Sequence, residues 1–393
     1  MRTRSIAASV ACWMAATVWA QSPSVSGPST APDQDARRAD SEAQSRARAA
    51  TASTVTLYGL IDAGVEYVKG SSGHVTRMPS LTGSLPSRWG VRGVEDLGDG
   101  LRGVFVLESG FDPGTGTLNQ GGRGFGRQAF VGLSGGWGTL TMGRQYTMLF
   151  WSLLDADILG PNLYGIGSLD NYIPNARADN ALVYRGTFNG LTLGASYSLG
   201  RDTANAGPSP AGTNCPGEGA PDSKACREWS ALLKYDSQRW GAALAVDEIR
   251  GGPGAFAGLV SSALKDRRVS ANGYVKLGEG QLSAGLIRRD NEGSIATPRS
   301  NLWYIGASYP VLPTLTLDAQ LHRLNFENSR NKATLAAVRG TYHLSKRSAV
   351  YATVGRISNG GNLAMSVSGG AVGITPRAGG SQTGVMVGMR HSF

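Results

Sequence analysis

The sequence predicts an all-β protein, a 16-stranded antiparallel transmembrane β-barrel, on three observations. The stretch GVMVGMRHSF, Gly384 to Phe393, puts Val385, Val387, Met389, His391 and Phe393 on one face of a period-2 strand. Gly384, Met386, Gly388, Arg390 and Ser392 take the other face. An apolar face ending in an aromatic, backed by small or cationic residues, suits a strand with lipid outside and water inside. Secondly, no run of 18 apolar residues follows the amino-terminal region, so no helix of the body is long enough to cross a bilayer. A barrel needs none, because alternation dilutes its lipid-facing residues with polar ones. Thirdly, the connections between apolar-alternating segments switch strictly between short and long, as a membrane barrel requires with turns on one side and loops on the other.

Taken in order, the strands are expected near 54–67, 87–95, 101–111, 126–134, 139–146, 180–187, 191–199, 229–236, 241–249, 266–277, 281–289, 300–309, 314–324, 332–344, 348–357 and 381–393. The first shows the pattern plainly: Val55, Leu57, Ile61, Val65 and Tyr67 alternate with Thr56, Tyr58, Asp62 and Glu66. Short connections carry turn chemistry, as in Gly98-Asp99-Gly100, Asn189-Gly190 and Gly278-Glu279-Gly280. Long ones fall at 68–86, 112–125, 147–179, 200–228, 250–265, 290–299 and 358–380, with 325–331 shorter than the rest. An even strand number lets the last strand close beside the first.

Ahead of the barrel, residues 1–20 read as an export signal: Arg2 and Arg4, an apolar run from Ile6 to Val18, then a small-residue site at Val18-Trp19-Ala20. Residues 21–53 hold almost no large apolar side chains and balance four acids against four arginines, the composition of a disordered segment. The formal net charge is +10; without Arg2 and Arg4 it is +8, all of it in the barrel region. The basic residues stand singly rather than in runs interleaved with aromatics, which argues against nucleic acid as a partner. After export Cys12 is gone, and Cys215 and Cys226 remain as an even pair in an oxidising compartment. A disulfide within one loop is the expectation. The four His are scattered, no nucleophile elbow occurs, and Gly122-Arg-Gly-Phe-Gly126 follows a loop rather than a strand. Neither enzymatic activity nor a metal or other cofactor is expected.

Several stretches carry a family resemblance. Val55-Thr-Leu-Tyr-Gly-Leu-Ile-Asp62 resembles the first strand of the trimeric general porins of Gram-negative outer membranes, above all the beta-proteobacterial type. Ser87-Arg-Trp-Gly-Val-Arg-Gly-Val-Glu-Asp-Leu-Gly-Asp-Gly-Leu101 resembles their second hairpin, and Phe130-Val-Gly-Leu133, Gly143-Arg-Gln145 and Ser381 to Phe393 follow in the family's order. The resemblance covers 54–393. It implies a homotrimer in outer-membrane lipid, passing ions and small hydrophilic solutes, with Phe393 read by the barrel assembly machinery. It also implies an inward-folded constriction loop, here 147–179. By motif, Arg88, Arg92, Arg127, Arg144 and Arg177 correspond to the basic side of the constriction, and Asp157 and then Asp155 to its acidic side.

The arginines support this reading without the family. Arg88, Gly90 and Arg92 share one face of their strand and Trp89, Val91 and Gly93 the other, and Arg102 and Glu108 are likewise opposed to Leu101, Phe105 and Leu107. A charge on the lipid face costs about 2–4 kcal/mol near the midplane, so these charges belong in the lumen. The +8 excess then favours anions, while acids on the inner loop work against it. The alternative is a plugged structural or adhesive barrel without general pore activity, which single-channel conductance would separate from a pore.

Overall fold

In a computed structural model, which describes residues 53–201, 215, 217–218, 221–368 and 374–393, alternation and turns build one closed antiparallel sheet. The expected export signal at 1–20 lies outside the described residues, as does all of segment 21–53 except residue 53. The strands are β1 (Thr54–Gly70), β2 (Gly73–Arg77), β3 (Arg88–Gly98), β4 (Leu101–Gly110), β5 (Gln128–Gly135), β6 (Gly138–Tyr146), β7 (Arg177–Phe188), β8 (Leu191–Ser198), β9 (Glu228–Asp236), β10 (Trp240–Arg250), β11 (Lys265–Leu277), β12 (Gly280–Asn291), β13 (Arg299–Leu312), β14 (Leu315–Phe326), β15 (Lys332–His343), β16 (Ser348–Gly360) and β17 (Ser381–Ser392). Setting aside β2, which only folds back on the end of β1, sixteen strands form the barrel.

Closure is made by β1. It pairs with β3 from Thr54↔Val94 to Leu60↔Arg88, and on its other edge with β17 from Leu60↔Ser392 to Gly70↔Gln382. Phe393 completes the seam: its N–H donates to the Gly59 carbonyl at 3.0 Å, and the Gly59 N–H donates back at 3.1 Å. The Phe393 ring lies over Gly59, where any side chain would collide with it. Val385, Val387 and Met389 are exposed on the outer face and Met386 is buried inside, as the alternation requires.

Two connections depart from the expected layout. Residues 73–77, read as loop, form β2, and the chain after it turns into the lumen, where Thr82, Ser84 and Leu85 are buried. The Arg390 guanidinium donates to Ser84 Oγ at 3.1 Å, and the Leu85 N–H donates to Asp62 Oδ2 at 2.9 Å. The long inner connection ends at residue 176 rather than 179, because Arg177 already pairs with Tyr146 as the first residue of β7.

The inner connection is the core of the molecule. It opens with a helix, α1 (Met148–Leu153), and contains two short 3-10 turns, Ile166–Ser168 and Ile173–Asn175. Its Leu153, Leu159, Tyr164, Ile166 and Ile173 pack in one cluster with inward side chains of the wall, among them Ile287, Leu302, Tyr304, Leu335, Tyr351 and Met386. Each fully buried Leu or Ile contributes about 1.5–3 kcal/mol, so packing sets where the loop lies. Glycines make room for it: a side chain at Gly194 would strike Met148, one at Gly306 would strike Ile158, and one at Gly355 or Gly384 would strike Tyr164. Those glycines stand on β8, β13, β16 and β17, so the loop lines the inner face of the later strands, while Tyr164 also reaches Glu66 on β1 and Met148 packs against Ala178, Ala181 and Val183 of β7.

Candidate functional site

The predicted arginines meet on the wall formed by the early strands. Arg88 and Arg92 project inward from β3, Glu108 from β4 and Tyr58 from β1, each on the inward face of its alternation. Arg127 stands one residue ahead of β5, Tyr146 ends β6 and Arg177 begins β7. Glu108 is the hub: Arg127 Nε donates to it at 2.7 Å, Tyr58 Oη at 3.1 Å, and Arg88 Nε lies 3.5 Å away. Tyr146 is a second hub, its hydroxyl accepting from Arg127 Nη2 at 2.7 Å and Arg177 Nη2 at 2.6 Å. Arg92 lies over the Tyr58 ring at 5.1 Å, and Arg177 over the Tyr146 ring at 4.4 Å. The described contacts thus gather four guanidinium groups about one carboxylate. Arginines tolerate such crowding because their planar, delocalised charge also bonds to hydroxyls and stacks on rings.

Of the five predicted arginines, Arg88, Arg92, Arg127 and Arg177 are brought together. Arg144 stands beside Arg177, close enough to act on its charge, and is anchored to other partners. It sits beside the bulge at Gly143, donates through Nε to the Gly126 carbonyl at 2.7 Å, and pairs with Asp179 at 2.5 Å. Asp179, expected in the loop, belongs to β7 and also pairs with Arg123 at 3.2 Å.

The predicted acidic side is a correction. Asp155 and Asp157 were expected to face the arginines across the lumen, and neither does. Asp155 pairs with Lys234 on β9, and its backbone carbonyl accepts from Gln281 of β12 at 2.8 Å. Asp157 is buried within the loop's own packing, 1% exposed, with its N–H bonded to the Leu153 carbonyl. For Asp155 the reason is the cost of burying a carboxylate away from a partner, which draws it toward Lys234 of the wall behind. Asp170 follows the same logic, accepting from Arg268 Nε at 2.8 Å. Burial alone would raise its pKa, but Arg268 and Arg289 outweigh burial and hold it below the ordinary carboxylate value. Aromatic side chains instead meet the arginine wall. Phe150 stacks on Tyr146 at 3.8 Å between ring centres, and Arg185 lies 3.8 Å over Trp151.

Other wall groups pin the loop in place. Tyr164 Oη donates to Glu66 at 2.7 Å, Tyr172 Oη and Thr147 Oγ1 donate to Asp247 at 2.9 and 2.7 Å, and the Leu159 N–H donates to Gln320 at 2.8 Å. Arg339, fully buried, pairs with Asp318 at 2.9 Å and donates to the carbonyls of Gly83, Ile158 and Leu159. Tyr58 and Tyr146 were not anticipated as site residues, although both sit on the inward side of their strands. Their alternation was the available signal.

Cys215 and Cys226 are disulfide-bonded, with Cα atoms 5.2 Å apart, and pack against Gly252 in the next long loop. They lie in the connection after β8, remote from the arginine group in sequence and strand position.

Comparison with known families matches residues 7–362 to the one described as Gram-negative porin. The chain belongs to that family. Among curated relatives, this porin is 30% identical to outer membrane porin protein 32 of Delftia acidovorans over 87% of its length and 94% of that protein's. It is 40% identical to an outer membrane porin protein of Bordetella pertussis over 41% of its length, a match spanning 46% of that protein. Among solved structures, the porin's fold is similar to an anion-selective porin from Comamonas acidovorans, with a TM-score of 0.70 at 24% identity, covering 87% of this chain and all of that one. The porin is accordingly an outer-membrane barrel.

Proposed function

We propose that this porin is a passive diffusion channel for small hydrophilic solutes and ions, with a preference for anions. The observation that carries the reading is the asymmetry of the lumen: Arg88 and Arg127 share one carboxylate, Glu108, with Arg92 and Arg177 beside them on Tyr58 and Tyr146, while the loop acids Asp155 and Asp170 are held by cations of the far wall. Charges that line a water path between low-dielectric walls focus the field on passing ions. The positive group therefore outweighs loop acids already neutralised behind it. Neutral hydrophilic solutes pass the same way without coupling to an energy source.

The active form is a homotrimer in outer-membrane lipid. Trp89, Val131 and Leu133 point outward from β3 and β5, an exposed apolar face that suits a neighbouring copy. Phe393, whose ring is partly exposed at the seam, serves as the residue that the barrel assembly machinery reads. Reversal potential across a tenfold potassium chloride gradient in a planar bilayer tests the channel reading. A potential of the sign set by chloride is expected. A potential of the potassium sign would overturn the anion preference, and absence of conductance would favour the plugged barrel.

A further inference from the structure

The arginine group has an apolar neighbour that a simple anion preference does not use. Arg92 of β3 is the register partner of Val106 on β4, and Val106 is the partner of Phe130 on β5. The three form one row across adjacent strands. Their face is the one that carries Tyr58 and Glu108, so the row points into the lumen. The next row toward the short turns, on the same face, is Val94, Val104 and Gly132. Val94, Val104, Val106 and Phe130 are all half-buried. Gly143, the partner of Phe130 on β6, has no side chain to cover the ring from that edge.

The inner loop does not explain these side chains. The buried clusters beneath it draw their wall residues from β1, β7 and later strands, and among the described residues none comes from β3–β5. The Arg92 row thus sets half-exposed apolar surface directly beside a cation. On the other flank of the guanidinium groups, Phe150 and Trp151 stand half-buried around Tyr146, at 3.8 and 6.0 Å between ring centres. Small-molecule sites combine such apolar lining with a few polar groups that fix orientation. Arg127 and Arg177 are buried, whereas Arg88 and Arg92 are half-buried and are the two that a solute can reach. Facing residues on neighbouring strands have Cβ atoms about 5 Å apart, so the row from Arg92 to Phe130 spans about 10 Å. A flat acid fits that length, its carboxylate against a planar guanidinium and its ring over Val106 and Phe130. A small inorganic anion would use the cation alone.

We propose that the passage selects monocarboxylates bearing a flat apolar ring, with the carboxylate on Arg88 and Arg92 and the ring on Val106 and Phe130. The assignment rests on the channel reading and narrows it from anions in general to one class of anion. The test is block of chloride current through the wild-type protein in a planar bilayer, by sodium benzoate, sodium acetate or benzamide, at neutral pH where both acids are ionised. Benzoate should halve the current at about one-tenth of the concentration that acetate requires, the gain expected from covering the ring. Benzamide, with the same ring and no charge, should not block at that concentration. Val104→Thr with Val106→Thr keeps side-chain shape and strand propensity, and should weaken block by benzoate about 5-fold more than block by acetate. Equal half-blocking concentrations of benzoate and acetate in the wild type would overturn the proposal without recourse to any variant. Equal block by benzamide would also overturn it, as would an unchanged benzoate-to-acetate ratio in the folded variant. The reversal potential in potassium chloride separates the two failures. A chloride-sign potential with equal block removes the ring subsite alone, whereas a potassium-sign potential removes the anion preference and this assignment with it.

Discussion

The two halves of the lumen wall treat charge in opposite ways. Along β9–β17 the inner loop lies against the wall, and the charges beneath it are paired: Asp155 and Asp236 with Lys234, Asp170 and Asp266 with Arg268, Asp318 with Arg339. Along β3–β7 the loop touches the wall through aromatic side chains, Phe150 on Tyr146 and Trp151 under Arg185, and Arg88, Arg92, Arg127 and Arg177 crowd around Glu108 and two tyrosines. The partners explain the difference. Under the loop the buried carboxylates Asp170 and Asp318 are matched by cations, which lowers the cost of removing them from water. In the early strands Arg127, Arg177 and Glu108 are buried as well, and the excess of one sign is tolerated because the guanidinium groups also bond to a tyrosine hydroxyl and stack on its ring. The ion pairs under the loop hold shape, and the arginine group is the part that the proposed function sets against the solute.

The sharpest way to break this contrast is Arg339→Met. It strands Asp318 in the covered half and leaves three loop carbonyls without their donor. The expected loss is about 3–5 kcal/mol of unfolding free energy in urea, together with new protease cleavage near Ile158. Adding Asp318→Leu should recover a large part of the stability, since replacing both partners by apolar groups removes the buried charge. A change under about 1 kcal/mol in the single variant would mean that the pair does not fasten the loop.

Next in size is an effect on selectivity rather than stability. Arg88→Gln with Arg92→Gln should move the reversal potential toward the cation sign while unfolding changes by no more than about 0.5 kcal/mol. Arg127 is the worse choice, because it is buried with Glu108 and Tyr146, and its loss would mix both effects. The shift should be large at 0.1 M salt, where the screening length is about 10 Å, and small at 1 M, where it is about 3 Å. An unchanged potential at low salt would remove the arginine wall from the selectivity argument.

A third test uses pH. Asp170 is held below its ordinary value, so its stabilisation is present above that value and is lost as pH falls through the lowered one. Loosening of the loop's return limb should therefore begin only below about pH 4, the ordinary Asp range. Asp170→Asn should abolish this acid step in a proteolysis assay and cost about 1.5–3 kcal/mol at neutral pH. The smallest effect is expected outside both halves. Cys215→Ser with Cys226→Ser should leave conductance and barrel unfolding unchanged within about 0.5 kcal/mol, and expose only the segment 215–226 to protease.

What the sequence made legible follows from periodicity. Strands that face lipid on one side and lumen on the other alternate strictly, so their positions and the inward arginines could be read directly. Arg88 and Arg92 are two apart on β3 and had to share a face. The loop between β6 and β7 has no such period, and nothing in Leu153-Leu154-Asp155-Ala156-Asp157 says which way each side chain turns. Of the two acids assigned to the lumen, Asp155 pairs with the wall behind and Asp157 is buried within the loop's own packing. The short β2 was missed for a related reason: Gly73 to Arg77 offers five residues and no apolar alternation, and it is made a strand by the end of β1.

The glycine seats under the inner loop bear on the order of events during assembly. Tyr164 rests where Gly355 of β16 and Gly384 of β17 leave space, yet it precedes both by nearly half the chain. Until those last strands arrive, its resting place does not exist. The loop is therefore synthesised long before it can dock, and the narrow passage takes its final width only when the sheet meets itself. A cell inserting this barrel gains a safeguard from that timing: an unfinished copy has no defined channel, and a finished one already has its loop seated.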